Sequence, residues 1–209
     1  MRRAVFLDRD GTLIKDIPYL NNPELVELLP NVPEGLKILK DLGFMLVVVT
    51  NQSGIRRGYF DEETLQEIHD KMCYLLRERG VNIDAIYYCP CLPDEGCDCR
   101  KPNPGMLLQA AKDYNIDLKK SYIIGDTWMD ICAGKKVGCV TILLSGKNEN
   151  FIKLRELNIE PDYIAKDFID AVNYIVMKEK YELFVGFPDK FDKVKFFDDH
   201  DSSYDNMFI

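Results

Sequence analysis

The stretch AVFLDRDGTL, residues 4–13, decides the fold that we expect for this chain. Residues 4–7 form a short, wholly apolar run, which is typical of a strand buried on both faces of a parallel sheet. Asp8 and Asp10 follow directly after this run. Sites in open parallel sheets form where strands end, so the two carboxylates occupy a functional position. By itself the pair is a weak signal, because aspartate before glycine is also common in turns.

An apolar run followed by polar residues recurs along the chain. We predict further strands at residues 45–49, 85–88, 122–124 and 139–144, with amphipathic helices at 33–42 and 61–79. Shorter helical patterns follow Pro104 and Asp130. Strands that alternate with helices predict an α/β fold, a doubly wound and mainly parallel sheet with right-handed crossovers. The segments between the motifs are too short for a separate cap domain, which indicates a shallow pocket.

The chain has 209 residues, which suffices for one α/β domain with a full core. We place that domain at residues 1–177. Residues 178–209 form an acidic tail rich in phenylalanine that follows neither the strand period nor the helix period. Two interpretations of the tail stay open: it is poorly ordered, or it docks on this subunit or on a neighbour. We expect a monomer, with self-association through the tail as the alternative.

The charge and the first residues exclude several classes of partner. The formal net charge is -8 and the isoelectric point is near 4.9, which argues against broad binding to nucleic acid or to an anionic membrane. Residues 1–3 lead straight into the apolar run, which is far too short for a signal peptide or a membrane span. Cysteines clustered in the manner of a metal site are typical of a reducing compartment, so we predict a cytoplasmic protein.

Residues 89–101, CPCLPDEGCDCRK, combine four cysteines with two cations. A structural zinc site needs four soft ligands that fold around one point, and the prolines and the glycine supply bends in this loop. Four thiolates leave no position open for water, so we predict a Zn²⁺ that holds shape, bound by Cys89, Cys91, Cys97 and Cys99. Two disulfides, or four incidental thiols, are the alternatives. The loop would fix Arg100 and Lys101 beside a strand-end site.

The polar groups at successive strand ends together supply what phosphoryl transfer needs. The reaction requires a nucleophile, a group that moves a proton, donors for the phosphoryl oxygens and a divalent cation. The residues that match these parts are Asp8, Asp10, Thr50, Lys101, Asp126 and Asp130. Coincidence at four successive strand ends is improbable. We therefore predict an enzyme that acts on a small phosphate ester.

The motifs DRDGTL, TNQSGIRRGYF, CRKPNPGM and GDTWMD resemble those of the haloacid dehalogenase superfamily of phosphatases, over residues 3–176. Within it they are most similar to the phosphatases of heptose bisphosphates, with histidinol-phosphatases second. The resemblance implies that Asp8 is the nucleophile, Asp10 the general acid and base, and Thr50 and Lys101 the groups that stabilise the phosphoryl oxygens. It also implies Mg²⁺, held by Asp8, the backbone carbonyl of Asp10, and Asp126.

The same resemblance, together with the local positive charge, predicts the residues that contact the substrate. They are Asp16, Tyr19, Asn51, Gln52, Ser53, Arg56, Arg57 and Arg100. The arginines suit the non-reacting phosphate of a sugar bisphosphate, whereas the amine of histidinol phosphate offers them nothing to bind. A catalytically silent binding or scaffold protein is the alternative of a different class.

The chain departs from the family pattern in three places. Cys91 stands where a histidine is usual, which turns the expected zinc site into a four-cysteine site. Arg56 replaces a small residue and adds a cation near the pocket mouth. Residues 127–129, Thr-Trp-Met, differ from the usual residues after the metal-binding aspartate.

Overall fold

The computed structural model describes residues 1–145 and 148–185. Their centre is a six-stranded sheet in which every pair of neighbouring strands is parallel, in the order β3-β2-β1-β4-β5-β6. The strands are β1 Ala4–Leu7, β2 Met45–Asn51, β3 Ala85–Cys89, β4 Tyr122–Gly125, β5 Val140–Leu144 and β6 Tyr163–Ala165. The helices are α1 Val32–Asp41, α2 Glu62–Arg77, α3 Gly105–Tyr114, α4 Trp128–Val137, α5 Asn148–Glu156 and α6 Phe168–Val185. This arrangement confirms the predicted doubly wound parallel sheet.

The central strand β1 divides the core into two layers. Val5 and Leu7 face the layer formed with α1, α2 and α6, whereas Ala4 and Phe6 face the layer formed with α3 and α4. All four side chains of β1 are completely buried. Burial of a leucine or phenylalanine side chain contributes about 1.5–3 kcal/mol, so both layers fix the strand in place. Asp8, which follows β1 directly, is therefore attached to a rigid strand.

Three elements were missed in the sequence: β6, α5 and α6. Strand β6 has three residues at the edge of the sheet, too few to show a period of two. Helix α5 has the sequence NENFIKLRE, in which only Asn150 and Leu154 are buried. Short edge strands and mainly polar helices carry little hydrophobic pattern, since their position is set by the layer on which they pack.

The connections above the sheet are irregular, in agreement with the expected absence of a cap domain. Between β1 and α1 the chain makes only isolated bridges, Asp10 with Ile14 and Ile14 with Leu28, and one 3₁₀ turn at Pro23–Leu25. Residues 52–61, between β2 and α2, contain turns and no helix. Both segments are fully described, and neither contains a layer that could fold by itself.

Helix α6 runs beyond residue 177, which is where we expect the domain to end. Glu179 accepts a hydrogen bond from the Tyr122 hydroxyl at 2.8 Å and forms an ion pair with Arg3. The rest of the predicted tail, residues 186–209, lies outside the described residues, so both interpretations of it stay open. Among the described helices, none is both long enough and apolar enough to cross a membrane.

Candidate active site

The ends of β1, β2 and β4 meet at one edge of the sheet. Asp8 follows β1, and its backbone N–H donates to the carbonyl of Ile124 in β4 at 3.0 Å. Thr50 lies at the end of β2, and Asp126 follows β4. Carboxylate oxygens of Asp8, Asp126 and Asp130 lie within 4.8 Å of one another. The structure thus brings the predicted nucleophile, hydroxyl and metal-binding carboxylate to one place.

Lys101 lies at the bottom of this cluster and is only 2% exposed. Its Nζ donates to Asp8 Oδ1 at 2.7 Å, to Asp130 Oδ1 at 2.6 Å and to the carbonyl oxygen of Val49 at 2.7 Å. All three donor positions of the ammonium are therefore used. Burial lowers the pKa of Lys101, but Asp130 and Asp8 outweigh this effect and hold the pKa above its ordinary value. The lysine is a fixed positive charge beside the predicted nucleophile.

The charges of the cluster do not balance without a cation. Three carboxylates, of Asp8, Asp126 and Asp130, face the single ammonium of Lys101, which leaves two negative charges. Burial raises the pKa of Asp8 well above its usual range; Lys101 opposes this shift, while the charges of Asp130 and Asp126 reinforce it. Hard oxygen donors with this excess charge fit a divalent cation such as Mg²⁺.

Asn51 holds the backbone of Lys101. Its side-chain amide donates to the Lys101 carbonyl at 3.0 Å and accepts from the Lys101 N–H at 3.0 Å. These two bonds join the end of β2 to a loop fifty residues away. Asn51 is predicted to contact substrate, yet both ends of its amide are occupied by the protein. In this structure it positions the lysine.

Asp10 is bound on several sides. The Arg9 guanidinium donates from Nε and NH2 to both carboxylate oxygens at 2.8–3.2 Å, and Gln52 Nε2 donates to Oδ2 at 2.9 Å. The same Gln52 nitrogen lies 2.8 Å from Thr50 Oγ1. Gln52, which is also predicted to contact substrate, is only 6% exposed. Its side chain links two predicted catalytic residues, Asp10 and Thr50. Arg9 was missed in the sequence, because an arginine between two aspartates carries no signal of burial.

Asn150 in α5 holds the loop that carries Asp126. Its amide nitrogen donates to the Asp126 carbonyl at 2.7 Å, and its oxygen accepts from the Trp128 N–H at 3.0 Å. The residue is 3% exposed. It was also missed, since a polar helix 24 residues further along gives no hint of this contact. Trp128 packs beside α5, under Lys153 at 5.9 Å from the ring.

Two glycines make room for the carboxylates. Gly11 adopts a left-handed conformation at φ +75°, and a Cβ there would lie 2.5 Å from Asp126 Oδ2. A Cβ on Gly125 would lie 2.2 Å from Cγ of Asp130. A side chain at either position would displace a carboxylate of the cluster. The glycines of the two motifs, Gly11 and Gly125, therefore leave room for the carboxylates that the same motifs supply.

The four predicted zinc ligands form a single sulfur cluster, which we call the four-cysteine cluster: Cys89, Cys91, Cys97 and Cys99. In the structure they form two disulfides, Cys89–Cys99 and Cys91–Cys97, which is the alternative to a zinc site that the sequence left open. The sulfurs of Cys91 and Cys99 are 4.0 Å apart, which brings the two pairs into contact. Arg100 follows directly, and its NH1 donates to the Cys91 carbonyl at 2.8 Å. The cluster is thus connected to the residues that precede Lys101.

Cations and tyrosines form a rim that includes Arg100, the residue before Lys101. Arg57 lies 5.9 Å from the Tyr19 ring, which contacts the Tyr59 ring at 4.5 Å. Burial lowers the pKa of Arg100, and the charge of Arg57 lowers it further, so the two guanidiniums are neighbours. Arg56 is exposed and lies 3.9 Å from Glu95. Of the other predicted substrate contacts, Ser53 is half-buried and Asp16 is exposed.

A family model, curated relatives and solved structures all relate this chain to phosphatases of one family. The HAD-hydrolase-like family model matches residues 98–171. The D-glycero-beta-D-manno-heptose-1,7-bisphosphate 7-phosphatase of Haemophilus ducreyi is 41% identical over 181 residues, which cover 83% of this chain and 98% of that protein. The corresponding enzyme of Pasteurella multocida is 44% identical over 155 residues, 70% of this chain and 84% of that protein.

Solved structures agree with these relatives. The crystal structure of D,D-heptose 1,7-bisphosphate phosphatase from B. bronchiseptica, complexed with magnesium and phosphate, matches with a TM-score of 0.76 and 34% identity. The match covers 84% of this chain and 99% of that one. The chain is therefore a phosphatase of the haloacid dehalogenase-like family and belongs with the D-glycero-D-manno-heptose-1,7-bisphosphate 7-phosphatases.

Proposed function

We propose that this protein removes the 7-phosphate of D-glycero-D-manno-heptose 1,7-bisphosphate through a phosphorylated Asp8. The observation that carries the proposal is the buried contact of Lys101 with Asp8 inside a group of three carboxylates, next to a rim of arginines. The carboxylates supply the nucleophile and a cation site, and the rim supplies positive charge for a second phosphate. The 41% identity to the Haemophilus ducreyi enzyme supports the same substrate.

The reaction takes two steps. In the first, an Asp8 oxygen attacks phosphorus in line, and the ester oxygen leaves with a proton from Asp10. In the second, water attacks the aspartyl phosphate and gives a proton to Asp10, which releases phosphate and restores Asp8. Proton transfer of this kind contributes about 10²–10⁴-fold to the rate. When Asp8 bonds to phosphorus, Lys101 transfers to a phosphoryl oxygen the hydrogen bond that it donates to Asp8 Oδ1 in the free enzyme. The Thr50 hydroxyl donates to the same phosphoryl group, where charge is greatest.

Mg²⁺ would be held by Asp8, Asp126 and the backbone carbonyl of Asp10. When bound it offsets the charge that repels a phosphate from the aspartates. Asp130 is close enough to belong to the same group, but its oxygens accept hydrogen bonds from Lys101 at 2.6 Å and from the Thr127 hydroxyl at 2.6 Å. Its role is to orient the lysine.

The rim leads to a prediction about substrate preference. Arg57→Ala and Arg100→Ala should each lower kcat/KM for the bisphosphate by about 10–100-fold, because each removes charged hydrogen bonds to the second phosphate. The same variants should change kcat/KM for heptose 7-phosphate far less. The measurement is phosphate release from heptose 1,7-bisphosphate, heptose 7-phosphate, fructose 1,6-bisphosphate and histidinol phosphate.

Arg79→Ala is the matched control, since Arg79 is exposed beyond the end of α2, before the start of β3. It should leave all four values unchanged. Histidinol phosphate as the best substrate, or equal losses on mono- and bisphosphate, would contradict the proposal. A catalytically silent scaffold would release phosphate from none of the four.

We also propose that the four-cysteine cluster binds one structural Zn²⁺ when its thiols are reduced. Thiolates bound at about 2.3 Å in a tetrahedron have sulfurs about 3.8 Å apart, close to the 4.0 Å between Cys91 and Cys99. A site of this kind requires a reducing compartment, consistent with the expected cytoplasmic location. The metal would hold the loop that ends in Arg100 and Lys101.

Replacement of one ligand tests the zinc proposal. Cys97→Ser should lose the metal and lower both the melting temperature and kcat with Mg²⁺ present, because the loop would no longer hold Lys101 in register. Zinc content is measured by native mass spectrometry on protein purified without chelator. Cys73→Ser, at a half-buried free cysteine on α2, is the control and should keep its zinc. Absence of zinc from the wild type, with both disulfides present in reduced cell extract, would contradict the zinc proposal.

A further inference from the structure

Arg9 is the largest fully buried side chain in the described part of the chain, and no step of the proposed reaction uses it. It lies between Asp10 and α2 and is 1% exposed. One edge of its guanidinium donates to both oxygens of Asp10. The remaining nitrogen, NH1, lies 3.2 Å from Nε2 of His69.

His69 is built as a neutral acceptor for this arginine. The ring is 3% exposed, and burial, followed by the charge of Arg9, lowers the pKa of His69 to about 3. A neutral imidazole has one nitrogen that accepts a hydrogen bond, and Nε2 faces the guanidinium. The helix therefore fixes the plane of the arginine, and the arginine fixes the plane of the carboxylate.

This arrangement is costly if its only purpose is packing. Removing a guanidinium from water costs several kcal/mol, and an apolar side chain of similar volume is often as stable or more stable. A guanidinium that donates two parallel bonds does, however, restrict a carboxylate to one orientation. Packing therefore does not explain the residue, whereas orientation of Asp10 does.

The donors are shared unequally between the two oxygens of Asp10. Oδ2 receives Arg9 Nε at 3.1 Å, Arg9 NH2 at 2.8 Å and Gln52 at 2.9 Å. Oδ1 receives only the two arginine nitrogens, at 3.2 and 3.0 Å. The side chain is 23% exposed, so the carboxylate still reaches the open edge of the site. Oδ1 is the oxygen with more capacity left for a proton.

We propose that Arg9, held by His69, is a positioning residue that aims Oδ1 of Asp10 at the reacting oxygens in both steps. The inference rests on the proposed function, in which Asp10 moves the protons. When Asp10 is wrongly oriented, the leaving group determines whether the first step slows, whereas the second step slows with every substrate. A sugar hydroxyl needs a proton to leave, whereas p-nitrophenolate does not, and hydrolysis of the aspartyl phosphate needs the base with either substrate.

The test is rapid-quench kinetics on Arg9→Gln, in the full-length protein with Mg²⁺. With p-nitrophenyl phosphate, we expect a burst approaching one p-nitrophenolate per active site, a larger phosphoenzyme fraction than in wild type, and then a slow steady state. With the sugar bisphosphate, kcat should fall by about 10–100-fold, part of the contribution of a general acid and base. KM should change little and no burst should appear. Arg9→Lys, which can form one bond but no fork, should lie between Arg9→Gln and wild type.

Arg3→Gln is the matched control, since Arg3 is also an arginine in an ion pair, but it is partly exposed and lies just before β1 at the opposite edge of the sheet. It should show no burst beyond that of wild type. His69→Leu provides a second variant in case Arg9→Gln does not fold. It should also give a burst of p-nitrophenolate, with a smaller amplitude than in Arg9→Gln. Equal loss on both substrates without phosphoenzyme accumulation, in Arg9→Gln or in His69→Leu, would overturn the positioning role.

The two proposals fail in different ways. If wild type prefers histidinol phosphate while Arg9→Gln still gives the burst, the substrate assignment is wrong and the positioning role stands. If wild type hydrolyses heptose 1,7-bisphosphate best and the variants show no burst, the reverse holds. Release from neither aryl nor sugar phosphates by wild type would overturn both.

Discussion

Asp8→Asn is expected to abolish phosphate release while leaving the fold intact. An amide oxygen cannot form the acyl phosphate, and loss of a catalytic nucleophile typically costs about 10⁴-fold or more in kcat. Stability should be unchanged or higher in metal-free protein, because burial and the neighbouring carboxylates raise the pKa of Asp8 and so disfavour its charged form in the folded state. Phosphate release and urea unfolding are the two measurements.

The result would contradict the nucleophile assignment if Asp8→Asn kept more than about a hundredth of the wild-type rate. A second check locates the phosphoryl group. A crystal of the wild type grown with beryllofluoride and Mg²⁺ should show beryllium bonded to a carboxylate oxygen of Asp8, with the fluorides in place of the phosphoryl oxygens. An anion found only at Arg57 and Arg100 would mean that the arginines are the principal site and that Asp8 has another role.

Lys101→Met is expected to remove both activity and stability. The ammonium is the shared partner of Asp8 and Asp130, which are buried at 2.7 and 2.6 Å from it. Removing one member of a buried ion pair leaves uncompensated charge and typically costs about 3–5 kcal/mol. The free energy of unfolding, measured in urea without metal, should fall by that amount, and phosphate release should be lost because the phosphoryl oxygens lose their fixed cation.

Two further variants separate charge from packing. Lys40→Met removes an ion pair with Asp84 whose side chains are 35% and 27% exposed, and partly exposed pairs of this kind contribute about 0–1 kcal/mol. The double variant Lys101→Met with Asp130→Asn removes one uncompensated carboxylate and should recover stability without recovering activity. If Lys101→Met were no less stable than Lys40→Met, the ammonium would not be holding the carboxylates together.

Much of the fold and of the catalytic group could be predicted from local sequence. A strand buried on both faces is apolar at every position, as residues 4–7 are, and such a strand must end where polar groups begin. The position of Asp8 and Asp126 at strand ends followed from this pattern alone. The edge strand β6 and the polar helix α5 could not be predicted in this way, because packing on the sheet, and no periodic pattern, determines where they lie.

The sequence by itself determined which groups are present: the aspartates, the threonine and the lysine at strand ends, and four cysteines within eleven residues. Only the tertiary structure decided what several of them do. The side-chain amides of Asn51 and Gln52, which we predicted to contact substrate, bind Lys101 and Asp10, and Arg9 and Asn150 emerged as supports of the site. The physical reason is that a side-chain amide or guanidinium satisfies its hydrogen bonds with whatever groups the fold brings within about 3 Å, and groups far apart in sequence become neighbours only when the sheet has formed.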